Sequence, residues 1–308
     1  MNHIPVLLKE SIKNLNIKNN GTYIDATYGC GGHTKLILSK LNNDGRIFAI
    51  DCDNQTIIMN KIIDKRIFYI NEKFSNLEYI INKKFIGKID GILFDLGISS
   101  FQLNNPLRGF SFMNNGPLDM RMNQNSKLTA YDLLKITSEI KLSCILKKYG
   151  EEKFHKKIAF NIKKYILNNK LSSTQDLSNL ICSIIPKKNR FKHPATRSFQ
   201  AIRIFLNKEL DELKTALHVS LKLLKKGGIL CVISFHSLED RIVKHFIKKY
   251  SSYNIYSNLP LTETEINNLY YINNKFRLKI VNRIFPSQKE IFNNPRSRSA
   301  ILRVAKKI

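Results

Sequence analysis

The sequence predicts an α/β fold on a parallel sheet, with an all-helical stretch set into it. Three observations carry that expectation. Between residues 22 and 96, short runs rich in Ile, Phe and Tyr alternate with helical stretches, which is the rhythm of βαβ units. The first run leads into Asp25-Ala-Thr-Tyr-Gly-Cys-Gly-Gly-His33, a glycine-rich turn that opens a helix. Aspartates close three of the runs, at Asp25, Asp51 and Asp95.

Taken in order, the strands fall at Thr22–Ala26, Arg46–Asp51, Arg66–Asn71 and Gly91–Leu96, with helices at Thr34–Leu41 and Gln55–Ile63 between them. Parallel sheets bind ligands outside the carboxyl ends of their strands. Gly29, Gly31 and Gly32 sit at such an end, where glycine permits a left-handed backbone and close approach of a ligand, and the following helix offers unpaired N–H groups. An acid about 20 residues further on, after the second strand, accepts ribose hydroxyls in such folds; Asp51 holds that place. Each aspartate alone reads first as a helix cap or turn residue. Together behind a glycine loop they point to an adenosine-bearing cofactor, and by themselves leave NAD and S-adenosylmethionine open.

After Asp95 the rhythm changes. Residues 97–122 form a long loop with Gly, Pro, Phe110, Phe112, Arg108 and Arg121; long ordered loops are commonly functional. Leu128–Lys135, Glu139–Tyr149, Glu151–Asn168 and Thr174–Ile185 show apolar residues at helical spacing with no strand between them. They read as a helical insertion, with Ser173 or Thr174 as cap and Pro186 as stop. Its polar face carries Lys147, Lys148, Lys153, Lys156, Lys157, Lys163 and Lys164: either a solvated face or a phosphate-contacting one. Residues 191–207 open as a loop at Phe191-Lys192 and become an amphipathic helix running to about Leu224, with Arg197 and Arg203 among Phe199 and Phe205, a pattern suited to RNA. The strand Ile229–Ser234 follows, then His236, read as a hydrogen-bonded structural histidine rather than a base, and a helix at Ile242–Tyr250 that Ser234 or Ser237 caps. Arg277–Val281 and Ala300–Val304 predict an antiparallel hairpin at the sheet edge.

The 308 residues carry 51 Lys and Arg against 24 Asp and Glu, a formal charge of +27. That excess attracts polyanions, although Lys, Ile and Asn are abundant throughout, as in chains encoded by AT-rich genomes. Five scattered cysteines, with no C-x-x-C, argue against a disulfide framework and a zinc site. No apolar run has membrane-spanning length, and the amino terminus lacks the features of a signal peptide. A cytoplasmic protein without a metal is expected.

Seven motifs add up to a resemblance. The stretches 25–33, 49–53 (Ala-Ile-Asp-Cys-Asp), 95–102 (Asp-Leu-Gly-Ile-Ser-Ser-Phe-Gln), 108–113 (Arg-Gly-Phe-Ser-Phe-Met), 116–122 (Gly-Pro-Leu-Asp-Met-Arg-Met), 193–204 (His-Pro-Ala-Thr-Arg-Ser-Phe-Gln-Ala-Ile-Arg-Ile) and 233–244 (Ile-Ser-Phe-His-Ser-Leu-Glu-Asp-Arg-Ile-Val-Lys) occur in this order. The chain resembles the RsmH (MraW) family of bacterial 16S rRNA cytosine-N4 methyltransferases, from His3-Ile-Pro-Val-Leu to the Asn294-Pro-Arg-Ser-Arg-Ser299 tail. Cys30 and Cys52 stand where that family often has arginine, and Phe101 where it commonly has proline.

The resemblance implies a Rossmann-like class I methyltransferase sheet with an inserted all-helical domain and an antiparallel C-terminal hairpin. It implies a cofactor domain at 1–104 and 195–308 and a substrate-recognition insertion at 105–194. The cofactor is S-adenosyl-L-methionine, and its binding positions fall on Gly31, Gly32, His33, Asp51, Phe74, Asp95 and Gln102. Asp95 either orients the cofactor or receives the target amine. Arg108, Arg121, Arg197 and Arg203 are the residues expected nearest the target base. The implied partner is 16S rRNA within the small ribosomal subunit, and the chain is expected as a monomer or homodimer. The readings set against this are a NAD-dependent oxidoreductase and a non-catalytic RNA-binding ribosome-assembly factor.

Overall fold

The computed structural model describes residues 4–81, 83–186, 193–251, 262, 264, 265 and 277–308. His3, where the likeness begins, and Phe191 and Lys192, where the sequence places a loop, lie outside the described residues. The chain divides into two compact units, Met1–Gly97 with Leu210–Ile308, and Ile98–Glu209. Among the described residues no helix is long and apolar enough to cross a membrane.

The first unit is built on a seven-stranded sheet: β1 (Thr22–Asp25), β2 (Arg46–Asp51), β3 (Ile67–Asn71), β4 (Ile89–Asp95), β5 (Leu224–Ser234), β6 (Leu278–Ile284) and β7 (Ile301–Lys307). Their spatial order is β3-β2-β1-β4-β5-β7-β6. The first five are parallel, and β7 runs antiparallel to both of its neighbours. The chain proceeds outward from β1 to β3, then returns to the other side of β1 for β4. The switch point where ligands bind therefore lies between β1 and β4.

Helices run in chain order as α1 (Leu8–Leu15), α2 (Gly32–Leu38), α3 (Asn54–Met59) and α4 (Leu77–Ile80) before the insertion. Within it are α5 (Ser100–Asn104), α6 (Ala130–Ile136), α7 (Glu139–Gly150), α8 (His155–Leu167), α9 (Thr174–Ile184) and α10 (Thr196–Asn207). After it come α11 (Glu209–Leu223), α12 (Ser237–Ser251) and α13 (Gln288–Asn293).

Strand residues alternate cleanly between two cores, as a period of two requires. Ile24, Phe48, Ile50, Ile92, Phe94, Leu230 and Val232 face one core with Leu213 and Leu217 of α11 and Val243, Phe246 and Ile247 of α12. Tyr23, Ile47, Ala49, Leu93, Cys231 and Ile233 face the other, with Ile12 and Leu15 of α1 and Ile37 and Leu38 of α2. Burial on both faces explains why these strands read as nearly continuous apolar runs. The two ends of the chain are tied together: Glu290 accepts the Leu7 N–H at 2.7 Å, and Asn294 Nδ2 donates to the Ile4 carbonyl at 3.0 Å.

The insertion has its own core, in which Leu142, Ile145 and Leu146 of α7 pack with Ile158 and Ile162 of α8 and Phe199 and Ile202 of α10. Capping boxes start α5 (Ser99 with Gln102), α6 (Thr129 with Asp132) and α9 (Ser173 with Asp176), each satisfying two otherwise unpaired N–H groups. Helix α10 falls inside this unit, so the insertion is wider than the expected 105–194. The reason is close packing: a Cβ on Gly150 of α7 would stand 2.5 Å from the Arg197 carbonyl of α10.

Two expected helices have different ends. Glu151 caps α7 in the left-handed region (φ 50°), so α8 begins at His155 instead of Glu151. The long helix expected to run to Leu224 is broken at Lys208 (φ 55°). There the Asn207 side chain donates back to the Arg203 carbonyl and out to the Met120 carbonyl, both at 2.9 Å.

Lys208 is a lysine where the backbone suits glycine, so Lys208→Gly should stabilise the chain by up to about 1 kcal/mol and raise its melting temperature. At Gly116 the sign reverses: a Cβ there would lie 1.9 Å from the Pro106 carbonyl oxygen. Gly116→Ala should cost about 1–3 kcal/mol, read as a lower melting temperature.

Candidate active site

The glycine turn between β1 and α2 is held from both sides by carboxylates. Asp25, at the end of β1, is buried; it accepts the Thr34 hydroxyl at 2.7 Å and the Thr27 N–H at 3.2 Å, binding the turn to the helix that follows. Asp51, at the end of β2, accepts the Gly29 N–H at 2.9 Å through Oδ2 and the Asp53 N–H at 2.9 Å through Oδ1. A carboxylate oxygen has two acceptor sites, so each Asp51 oxygen keeps one for a hydroxyl ligand. Burial raises the carboxyls of Asp25 and Asp51 to about 6 against their backbone and hydroxyl hydrogen bonds.

The glycines have separable duties. Gly29 and Gly31 take positive φ, 53° and 73°, and Gly31 forms the left-handed entry to α2. Gly32 is required by packing, since a Cβ there would stand 2.1 Å from Cγ of Pro5. The turn is floored by Tyr28, whose hydroxyl donates to the Asn60 carbonyl and lies 3.4 Å from the Tyr69 hydroxyl.

Across the switch point Asp95 ends β4. Its own N–H donates to the Thr27 hydroxyl at 2.6 Å, which fixes the strand end against the glycine turn. Its Oδ2 lies 3.7 Å from Nδ1 of the buried His33, and its Oδ1 is buried with no hydrogen-bond partner among the described residues. Burial, reinforced by the charges of Asp25 and Glu239, pushes the Asp95 carboxyl well above the usual range. Glu239 lies in the first turn of α12, buried; it accepts the Phe235 N–H at 2.9 Å, and its Oε1 is 3.2 Å from Nε2 of His236. Phe74 lies at the start of the short turn that follows β3, edge-on to Phe94 at 5.7 Å. A desolvated group of acids with an unsatisfied oxygen is the environment in which a cation is stabilised. Together with the acceptor sites left on Asp51, these residues fit a cationic ligand that carries neighbouring hydroxyls.

The structure therefore assembles Gly31, Gly32, His33, Asp51, Phe74 and Asp95 in the sheet unit. The remaining predicted residues lie in the insertion unit, and their surroundings differ from expectation. Gln102 is buried, and its Oε1 accepts the Ser99 N–H at 3.1 Å as part of the capping box. Arg108 is 1% exposed; its Nη2 donates to the carbonyls of Arg121 and Met122 at 2.9 and 3.1 Å. It is the post around which the loop 105–122 is wound. Arg121 makes a two-pronged pair with Asp119 at 2.9 and 2.7 Å, and Arg203 does the same with Glu209 at 2.9 and 2.8 Å. Arg197 alone of the four is exposed, with Nη1 3.3 Å from the Glu151 carbonyl. A buried guanidinium costs too much to desolvate unpaired, which is why three of these arginines are spent within the fold.

Sequence reasoning missed Glu239, Thr27 and Thr34. Glu239 had a signal: it stands three residues after His236 at the start of a helix, where a side chain reaches back to a preceding N–H. His236 is the hydrogen-bonded histidine that was expected, its Nδ1 accepting the Glu239 N–H at 3.4 Å. The two threonines gave none: the Thr34 hydroxyl reaches Asp25 only once the glycine turn has folded back, and the Thr27 hydroxyl meets the Asp95 N–H only through the pairing of β1 with β4.

The raised carboxyls make a pH test. Asp25 and Asp51 titrate at about 6 folded and about 3.9 unfolded. Between those values the folded chain holds more protons, so their contribution to stability falls as pH rises from about 4 to 6 and is level above. Chemical denaturation of Asp51→Asn against wild type should show a stability difference that grows in the variant's favour across that window, by at most about 3 kcal/mol.

Comparison with known proteins places this geometry. The sequence pattern of the MraW methylase family matches residues 1–308. Ribosomal RNA small subunit methyltransferase H of Buchnera aphidicola subsp. Acyrthosiphon pisum is 51% identical over 306 residues, covering 98% of this chain and 97% of that one. The protein of the same name from Buchnera aphidicola subsp. Baizongia pistaciae is 53% identical over 309 residues, with 99% and 97% covered. Among solved structures, a SAM dependent methyltransferase from Aquifex aeolicus aligns with a TM-score of 0.37 and 8% identity over 99% of this chain and 91% of that one. The chain belongs to the MraW methylase family, whose methyl donor is S-adenosyl-L-methionine.

Proposed function

We propose that this protein transfers the methyl group of S-adenosyl-L-methionine to the exocyclic N4 amine of a cytidine in the decoding region of 16S rRNA, within the small ribosomal subunit. The observation that carries the reading is identity of about one half, over nearly the full length of both chains, to proteins named Ribosomal RNA small subunit methyltransferase H. Bound to the sheet rim, the donor supplies an electrophilic methyl on a positively charged sulfur.

The chain's own residues then have three tasks. Asp51 holds the ribose hydroxyls through the acceptor sites that the Gly29 and Asp53 N–H groups leave open. The acids at the ends of β1 and β4 favour a positive charge beside them. Asp95 receives the amine: its unpaired Oδ1 accepts an N4 hydrogen, which draws the nitrogen lone pair out of conjugation with the ring. When bound, the donor would supply the methyl and keep the electrons of its broken carbon–sulfur bond, and Asp95 would take the surplus proton from N4. Holding the two reactants in line supplies much of the remaining rate.

Mass spectrometry of nucleosides from small subunits that lack the modification, incubated with protein and labelled donor, tests the reading. N4-methylcytidine is expected; label on another atom or on no RNA overturns it. Asp51→Ala should weaken donor binding by about 2–3 kcal/mol in calorimetry, as loss of charged hydrogen bonds requires. Asp95→Asn should lower the turnover rate by 10²–10⁴, the range of general-base contributions, with donor affinity changed less than about tenfold. The opposite split assigns Asp95 to donor orientation.

A further inference from the structure

The insertion unit presents a ring that the reaction above does not use. His193 is exposed. Its imidazole lies flat on Phe112, with centroids 4.2 Å apart and planes at 18°. Phe112 is gripped edge-on by the buried Phe199, at 5.1 Å and 79°. The ring is also held along its edges: Nδ1 accepts the Ala195 N–H at 3.3 Å, and Nε2 lies 3.9 Å from the Cys182 sulfur. Phe112 is the one ring stacked on it among the described residues, and it occupies one face of the imidazole.

The surroundings are basic. Arg197, one helical turn beyond His193, is exposed and reaches the carbonyl of Glu151, the residue that closes α7. The last turn of that helix offers exposed Lys147 and Lys148, and Lys153, Lys156 and Lys157 follow, also exposed. Of the two acids among them Glu151 is exposed and Glu152 is buried. A flat ring with its orientation already fixed costs little further entropy when a second ring settles on it. A ring flanked by cations is the arrangement by which single-stranded RNA is held, bases stacked and phosphates neutralised.

We propose that His193, backed by Phe112, is a stacking platform for an unpaired RNA base, with Arg197 and the lysines of α7 and α8 holding the neighbouring phosphates. The inference rests on RNA being the substrate, and it assigns the contact to a segment in which Arg108, Arg121 and Arg203 are committed to the fold.

The test uses the full chain and a short single-stranded RNA containing 2-aminopurine, whose fluorescence is quenched by stacking. Quenching is expected with wild type. His193→Ala should lose it and bind the RNA about 5- to 100-fold more weakly, the range for removal of one stacked base. His193→Tyr should retain quenching and affinity. Arg197→Gln should reduce the slope of log affinity against log salt by about 0.7, one phosphate contact on a single strand. Donor binding and melting temperature report whether each variant is folded. Unchanged affinity and quenching in His193→Ala overturn the platform, as does a tyrosine variant that binds no better than alanine. Wild type that methylates small subunits while His193→Ala binds RNA normally overturns the platform alone. Wild type that stacks the probe yet methylates no rRNA overturns the proposed function alone.

Discussion

The sheet unit is governed by the cost of placing negative charge at the rim of a parallel sheet. Burial raises the proton affinity of Asp25, Asp51 and Asp95, and neighbouring carboxylates add to it at Asp51, from Asp53 and Asp25, and at Asp95, from Asp25 and Glu239. The fold meets part of that cost with donors: the Thr34 hydroxyl and the N–H groups of Gly29, Thr27, Asp53 and Phe235. What it does not meet is concentrated at Asp95. A fold that leaves this much charge desolvated holds its rim ready for a positively charged partner, and a sulfonium is one. The glycine turn, the threonines and Phe235 ahead of α12 follow from the same requirement, because each is placed to bring an N–H or O–H to an acid.

Most of this arrangement was legible in the chain. Strand–helix alternation predicts the parallel sheet, and two β-like runs in the tail predict its antiparallel edge; β6 and β7 pair in that sense. Acids at strand ends behind a glycine turn indicate the rim. Three features were hidden for physical reasons. The break at Lys208 carries no glycine or proline, because side chains make it: Asn207 reaches the distant Met120 carbonyl, and Arg203 pairs with Glu209 just past the break. The duty of Gly32 looks like ligand approach in the sequence and is packing against Pro5. Thr34 is an ordinary helix residue until the glycine turn folds it back onto Asp25, and Thr27 an ordinary turn residue until the pairing of β1 with β4 brings the Asp95 N–H to its hydroxyl.

The arginines teach the same lesson from the other side. An arginine between aromatics reads equally as a nucleic-acid contact and as a buried structural cation, since both need a planar donor beside apolar rings. Arg108 is of the second kind, satisfied by two backbone carbonyls. Charge on the insertion is carried outward by lysines of α7 and α8, whose long stems lie on the surface and whose ammonium groups stay in water. Lys163 is the exception; it turns inward to the carbonyls of Leu134 and Lys135, and desolvation lowers its proton affinity.

The tie between the two chain ends bears on how the polypeptide is made. Ile4 and Leu7 are anchored by Asn294 and Glu290, and β5 and β7 complete the sheet from the far side of the insertion. During synthesis the helical insertion emerges whole while the sheet still lacks three strands. The insertion is thus the part able to reach its native packing on the ribosome, since domains form as units in the order they appear. The amino-terminal brace forms only after Glu290 and Asn294 have been made, so a chain stopped just past the insertion would carry a packed helical unit and a sheet still lacking β5, β6 and β7.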